Sequence, residues 1–158
     1  MTASALLDRL SALPPGLCLL GLGSNLGDRR GYIRSALEAM QQEAGPMLAC
    51  SQLIETAPVE MTSPHAFLNA VAAFRTGLTP AQLLATTQDI ERRLGRTRKS
   101  RGGQHFDRTI DLDILALGSV RLTDEEVLPG QRLTLPHPRI ALRPFVLEPL
   151  AEVLEQLQ

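Results

Sequence analysis

The order and size of the segments in this sequence predict a single α+β domain. Two segments whose apolar residues recur at helical spacing alternate with four short apolar segments typical of strands, in the order βαββαβ. Further elements come after this unit as a C-terminal appendix. The 158 residues, 44% of them apolar, suffice for one hydrophobic core. This order favours two helices over one face of a mostly antiparallel sheet, which is the ferredoxin-like sandwich.

The first half of the chain contains three of the four strands. Residues 2–13 have a helical pattern, but Pro14-Pro15-Gly16 separates them from the first strand. We therefore expect residues 1–16 to form an N-terminal extension outside the core, and residues 17–158 to form the domain. The expected elements are a strand at 17–23, a helix that ends near 43, and strands at 47–56 and 67–76.

The second half begins with a clear helix signal. Thr79-Pro80-Ala81-Gln82 combines capping-box spacing with proline at the first helical position, and Gly95 ends the helix. A loop rich in Gly and Arg spans residues 96–107. The remaining expected elements are a strand near 109–117, a hairpin-like connection, a short segment at 133–135 and a last helix near 144–157.

Charge is balanced overall but unevenly distributed. The 16 basic and 17 acidic residues leave a net charge of −1, and 15 of the cations are Arg. Seven cations fall between Arg92 and Arg108; a solvated surface explains such a run, but guanidinium groups also suit phosphate. Only Phe106 accompanies them for base stacking, so we expect no nucleic-acid partner. No apolar run reaches the length of a membrane span, and Cys18 and Cys50 are the only cysteines, which favours a reduced cytoplasmic protein without a membrane partner.

The sharpest local signal is Asp111-Leu112-Asp113. On a strand, alternate residues share a face, so both carboxylates project together with Cα atoms ~6.6 Å apart, while Ile110, Leu112 and Ile114 point to the other face. Two adjacent carboxylates repel each other unless a cation lies between them. Mg²⁺, which takes oxygen ligands and keeps positions for phosphate, is one candidate for that cation, and a nearby Arg is the other.

Three further features carry less weight alone. The loop from Gly21 to Gly27 misses the dinucleotide-binding spacing by one residue and is typical of a tight strand-to-helix turn. His137 lies between two prolines, whose rigid backbone fixes the direction of the imidazole and favours contact with a ligand. Gln88, Glu91 and Arg92 lie one turn apart on the second helix of the sandwich and are expected to lie away from its apolar face, where a surface network explains them as well as a binding role does. The carboxylate pair, the Arg-rich loop upstream of it and His137 downstream together indicate phosphoryl transfer.

Six motifs in this order resemble those of a known family. They are Gly21 to Asp28, Glu55-Thr56-Ala57-Pro58, Phe67-Leu68-Asn69-Ala70, Gly95-Arg96-Thr97-Arg98, Arg108 to Leu115, and Leu135-Pro136-His137-Pro138. Over about residues 17–153 the chain resembles the 6-hydroxymethyl-7,8-dihydropterin pyrophosphokinases of folate biosynthesis. Where that family often carries R-W-G-P-R, this chain has Gln104-His105-Phe106-Asp107-Arg108, so the family's Trp is missing from the loop.

The resemblance implies a fold, an activity and a set of site residues. The fold is ferredoxin-like, and the reaction is transfer of pyrophosphate from ATP to the hydroxymethyl group of the pterin, with release of AMP. Asp111 and Asp113 match the ligands of two Mg²⁺ ions bound with ATP, and Arg96 and Arg108 match catalytic arginines. The residues that match the pterin site are Thr56, Ala57, Pro58, Phe67, Asn69 and Phe145. The residues that match the ATP site are Gln88, Glu91, Arg98, Ile114, Arg132, Thr134, His137 and Arg143. The expected partners are ATP and 6-hydroxymethyl-7,8-dihydropterin, and the expected state is a monomer.

Two other classes fit the sequence less well. Nucleotidyltransferases also combine Gly-Ser with D-x-D, but a short distance apart, whereas Gly23-Ser24 and Asp111 are far apart in this chain. A ferredoxin-like small-molecule or RNA-binding module would use the Arg cluster, and it would show salt-sensitive binding of nucleic acid without a need for Mg²⁺.

Overall fold

The computed structural model describes residues 2–56, 65–95 and 109–158. The helices are α1 (Ala3–Leu10), α2 (Arg29–Glu43), α3 (Pro80–Arg93) and α4 (Pro144–Gln156), with a 3₁₀ turn at Ile140–Leu142. The strands are β1 (Leu17–Ser24), β2 (Met47–Cys50), β3 (Ile54–Thr56), β4 (Phe67–Arg75), β5 (Asp111–Leu117), β6 (Leu122–Leu128) and β7 (Gln131–Leu135). None of the helices in this part of the chain has the length and apolar character needed to cross a bilayer.

The main sheet is built around β4 and β1. Its strand order is β2-β4-β1-β5, with β3 also paired to β4, and every pair is antiparallel. The seven inner residues of β4 are buried, as its central place requires. The α+β class and the ferredoxin-like fold predicted from the sequence are confirmed.

The predicted strand at 47–56 is wrong in one respect, because it is two short strands, β2 and β3. Ser51 causes the break: its N–H donates to the Val71 carbonyl at 2.9 Å, while its Oγ accepts the Val71 N–H at 3.0 Å. The same hydroxyl donates to the Gln52 carbonyl at 2.9 Å. A side chain thus takes the place of a backbone acceptor in the ladder, which interrupts the pairing.

Helices α2 and α3 cover the first face of the sheet, as predicted. Thr79 and Gln82 form the expected capping box at the start of α3. The core on this face contains Leu20, Leu22, Ile33, Met40, Phe74, Leu83, Ile90, Leu112 and Ile114, among other residues.

Helices α1 and α4 cover the second face, and this overturns the expectation that the N-terminal helix lies outside the core. Leu6 and Leu10 are 2% and 0% exposed, and they belong to a second core with Leu150 and Val153 of α4. The Arg9 guanidinium also donates to the Leu154 carbonyl at 3.0 Å. Pro14-Pro15-Gly16 is therefore a turn between two packed elements, and it does not isolate the helix.

The hairpin of β6 and β7 forms a separate two-stranded sheet beside α3 and β5. Leu135, the last residue of β7, is buried in the first core. After a cis bond between Leu135 and Pro136, the His137 N–H donates to the Leu115 carbonyl at 2.8 Å. The chain thereby returns to the outer edge of β5, which brings the hairpin next to the carboxylate pair.

Candidate active site

Two glycines of β1 leave an open strip on the second face of the sheet. Gly23 is paired with Asn69 on one side and Asp111 on the other, and Gly21 is paired with Asp113. A Cβ at Gly23 would lie 3.0 Å from Asn69 Oδ1, and one at Gly21 would lie 3.8 Å from Asp113 Cβ. Because neighbouring strands are ~4.8 Å apart, the backbones of Asn69 and Asp111 are separated by about 10 Å. The strip can therefore receive a ligand between the carboxamide and the carboxylates.

The carboxylate pair borders one side of this strip. Asp111 and Asp113 are half-buried, whereas Leu112 and Ile114 are buried in the first core. The alternation predicted from the sequence is confirmed. In the described ranges, no group of three or more His, Cys, Asp or Glu side chains is arranged so that it could hold a metal ion. Two carboxylates are nevertheless enough for Mg²⁺ that shares its other positions with water and substrate phosphate, so the donor set fits that ion.

An amide and aromatic group borders the other side of the strip. Asn69 donates from Nδ2 to Thr56 Oγ1 at 2.7 Å, which leaves its Oδ1 over Gly23. The Phe67 ring also lies beside Gly23, 3.5 Å from where a Cβ would be. Phe145, near the start of α4, packs against the second core, and the Arg143 guanidinium lies 5.7 Å from its ring centroid. The structure thus brings Thr56, Phe67 and Asn69 together, while Ala57 and Pro58 lie outside the described residues.

The residues that match an ATP site surround the outer edge of β5. Gln88 of α3 donates to the Gln131 side chain of β7. Arg132 and Thr134 follow on β7, and both contact Asp124 of β6: the Arg132 Nε donates to Asp124 Oδ1 at 2.9 Å, and Thr134 Oγ1 accepts the Asp124 N–H at 2.9 Å. Because Thr134 Oγ1 accepts there, its own proton remains available for another acceptor.

Glu91 differs from expectation, because it lies on the buried face of α3 and not away from it, whereas Ile114 is placed as the alternation along β5 predicts. Glu91 is 6% exposed and does not belong to a surface network; its Oε2 accepts the Leu112 N–H at 2.8 Å. Ile114 has its side chain in the first core, 4% exposed, so only its backbone is placed at the β5 edge. Arg96, Arg98 and Arg108 lie outside the described residues.

His137 is held as a neutral hydrogen-bond donor. Burial, with Arg143 and Arg139 nearby, lowers its pKa from 6.5 to about 4, and Asp111 only partly opposes this. Nδ1 accepts the Arg139 N–H at 3.2 Å, so the hydrogen-bond pattern assigns the ring proton to Nε2. These hydrogen bonds give the imidazole a defined direction, which agrees with the expectation from the flanking prolines.

Sequence reasoning missed two positions beside the site. Arg29 donates to the Ala66 carbonyl at 3.1 Å and pairs with Glu55 at 3.4 Å, and Asn25 donates to the His65 carbonyl at 3.4 Å. These contacts join the turn after β1 to the segment before β4. Asn25 lies within the glycine loop, and asparagine is common in turns. The sequence alone therefore does not distinguish an Asn that only forms the turn from one that also binds a distant segment.

One group of residues lies on the β1 side of the carboxylate pair and the other lies beside the outer edge of β5. Such an arrangement is typical of a transferase that brings two substrates together. Comparison with known proteins gives the family. The family model described as 7,8-dihydro-6-hydroxymethylpterin-pyrophosphokinase (HPPK) matches residues 19–155, and the chain belongs to this family. It is therefore an enzyme, a diphosphotransferase of folate biosynthesis that acts on a pterin.

Individual relatives agree with this assignment. A 2-amino-4-hydroxy-6-hydroxymethyldihydropteridine pyrophosphokinase of Porphyromonas gingivalis is 49% identical over 134 residues, which cover 85% of this chain and 88% of that protein. The Bacillus subtilis protein of the same name is 41% identical over 90% of this chain and 80% of its own length. A crystal structure of an HPPK-DHPS protein in complex with substrates matches 90% of this chain and 41% of its own with a TM-score of 0.65. At 14% identity, that likeness supports the fold.

Proposed function

We propose that this chain transfers the β,γ-pyrophosphoryl group of ATP to the hydroxymethyl oxygen of 6-hydroxymethyl-7,8-dihydropterin. The hydroxymethyl oxygen forms a bond to Pβ, the bond from Pβ to the α,β-bridging oxygen breaks, and AMP leaves. The hydroxyl proton is given up to water. The observation that carries the proposal is the row of Asn69, Gly23 and Asp111, which places an amide and a carboxylate on opposite sides of an open strip.

The chain's residues have distinct roles in this reaction. Asn69 and Phe67 orient the pterin beside Gly23, with the Asn69 amide fixed by Thr56. Asp111 and Asp113 would hold two Mg²⁺ ions, which would neutralise charge on the phosphate oxygens of ATP. His137 donates from Nε2 to a phosphate oxygen, and its lowered pKa keeps it in that neutral form at pH 7.

The nucleotide lies along the outer edge of β5 in this proposal. Residues Gln88, Arg132 and Thr134 border that edge, and the Ile114 backbone lies on it. Arg143, close to Phe145 and His137, contributes positive charge near the phosphates. Roles for Ala57, Pro58, Arg96, Arg98 and Arg108, a monomeric state and a cytoplasmic location stay predictions.

The test is an assay for AMP release from ATP, with and without 6-hydroxymethyl-7,8-dihydropterin, at several Mg²⁺ concentrations. We expect AMP to form only when the pterin and Mg²⁺ are both present, with one diphosphorylated pterin for each AMP. Formation of ADP, or release of AMP at the same rate with and without the pterin, would contradict the proposed reaction. Activity in excess EDTA would contradict the metal requirement.

A further inference from the structure

Glu91 is a charged residue in an unusual place. It lies in the last turn of α3, and the residue is 6% exposed. Glutamate is rarely buried to this extent unless its carboxylate makes specific hydrogen bonds. Its Oε2 accepts the backbone N–H of Leu112 at 2.8 Å. The contact joins α3 to the residue between Asp111 and Asp113.

The strand pairing explains why this N–H needs an acceptor from a side chain. In an antiparallel ladder, the backbone N–H and C=O groups of one residue point to one edge of the strand, and those of the next residue point to the other edge. Because Leu112 donates to α3, its N–H points away from β1. In the described part of the chain β5 is the last strand on that side of the sheet, so no further strand supplies a carbonyl there. Glu91 takes the position that a neighbouring strand would occupy.

This hydrogen bond fixes the backbone that carries both carboxylates. The peptide unit of the Leu112 N–H also contains the Asp111 carbonyl, so its orientation sets the direction of the Asp111 side chain. β1 holds the same segment from the inner edge, through its register with Gly21 and Gly23. Leu112 anchors it in the first core. The segment is therefore restrained at both edges and by its packing in the first core, and Glu91 supplies the restraint at the outer edge.

We propose that Glu91 is a positioning residue for the two metal-binding aspartates, acting through the Leu112 N–H and not as a ligand of ATP. The inference rests on the proposed function, because it assumes that Asp111 and Asp113 hold Mg²⁺. Groups that orient metal ligands without touching the metal typically change metal affinity 10–100-fold when they are removed. What matters at Glu91 is an acceptor at the right distance, and the negative charge is secondary.

Two variants separate the effect of side-chain length from the effect of charge. Glu91→Gln keeps an acceptor oxygen at the same distance but removes the charge, whereas Glu91→Asp keeps the charge and shortens the side chain by one methylene. Asp89→Asn is the matched control, because Asp89 lies on the same helix and its side chain is 48% exposed in surface pairs with Arg92 and Arg93. Thermal unfolding first establishes a temperature at which all four proteins are folded.

The measurement is Mn²⁺ binding, followed by the electron paramagnetic resonance signal of free Mn²⁺ in the presence of α,β-methylene-ATP. We expect Glu91→Gln and Asp89→Asn to stay within about threefold of the original chain, and Glu91→Asp to bind Mn²⁺ at least about tenfold more weakly. Affinity for the analogue without metal should be the same in all four proteins. If Glu91→Gln bound Mn²⁺ weakly and Glu91→Asp bound it normally, the proposal would be overturned. Equal Mn²⁺ affinities of the two variants, whether weakened or unchanged, would also overturn it.

The two proposals fail in different ways. If the original chain binds Mn²⁺ with the analogue but releases no AMP from ATP and pterin, the proposed reaction is wrong while the comparison of variants still tests Glu91. If AMP release is normal and Glu91→Asp leaves Mn²⁺ affinity unchanged, the positioning role is wrong and the reaction stands.

Discussion

The packing of α1 makes a quantitative prediction about stability. Leu10 is 0% exposed and belongs to the second core, so Leu10→Ala removes three buried carbons. At ~0.8 kcal/mol for each buried carbon, the transfer term is about 2.4 kcal/mol, and a residual cavity adds roughly 1 kcal/mol. We expect the free energy of unfolding to fall by about 3 kcal/mol. For a domain of this size, the melting temperature should fall by roughly 6–12 °C.

Urea unfolding followed by far-ultraviolet circular dichroism measures this change, since the chain has one Tyr and no Trp to report by fluorescence. Leu7→Ala is the matched control, because Leu7 lies on the same helix and is 41% exposed. It should cost less than about 1 kcal/mol. Equal, small losses in both variants would refute the packing of α1 on the second face. Catalysis by the folded Leu10→Ala protein should be unchanged, because the glycines that open the strip lie toward the far end of β1 from Leu17, where α1 leads in.

Three further predictions concern the site. Asp111→Asn and Asp113→Asn should each lower AMP release at least about 1,000-fold without loss of thermal stability, since each relieves repulsion between carboxylates; near-normal activity in either would exclude the metal role. Gly21→Ala should keep or raise stability, by up to about 1 kcal/mol, because a Cβ there meets no atom closer than 3.6 Å. It should still lower activity at least about tenfold by filling the strip, and unchanged activity would show that no ligand lies over Gly21. The pKa of His137 is about 4 in the fold, below its ordinary 6.5, so the unfolded chain takes up the proton first as pH falls. The neutral imidazole therefore stabilises the fold above pH 6.5, and that contribution is lost between pH 6.5 and 4. Between pH 7.5 and pH 4.5, the free energy of unfolding measured with urea should fall by about 2 kcal/mol more in the original chain than in His137→Asn. Equal falls in the two proteins would contradict the lowered pKa.

The strands of the main sheet and the helices α2 and α3 could be predicted because their sequence signals are local. Apolar spacing defines α2 and α3, and the capping box at Thr79 sets where α3 begins. The alternation of Asp111, Leu112 and Asp113 is sufficient to place the carboxylates on one face and the leucine on the other. These features depend on residues that are neighbours in the chain.

The features that the sequence did not predict depend on long-range contacts. The helical pattern of residues 2–13 suits a helix that is packed as well as one that is detached, and only the apolar residues of α4 decide between these states. Glu91 lies on the buried face of α3, one turn after Thr87. Its charge alone favours a surface position, and its carboxylate is buried because it takes the place of a strand at the outer edge of β5. The break at Ser51 likewise requires Val71, which lies 20 residues further along the chain.

The alternation along β5 also limits the ways in which this protein can misfold and still be stable. A shift of the strand by one residue would turn both aspartates into the first core and turn Leu112 and Ile114 out to water. Two buried carboxylates without a partner would cost far more free energy than any alternative pairing could recover. The same exchange would also remove the proposed metal ligands from the open strip. A chain with slipped register would thus be unstable and would also lack the proposed site, so selection for a stable fold also selects the position of both carboxylates.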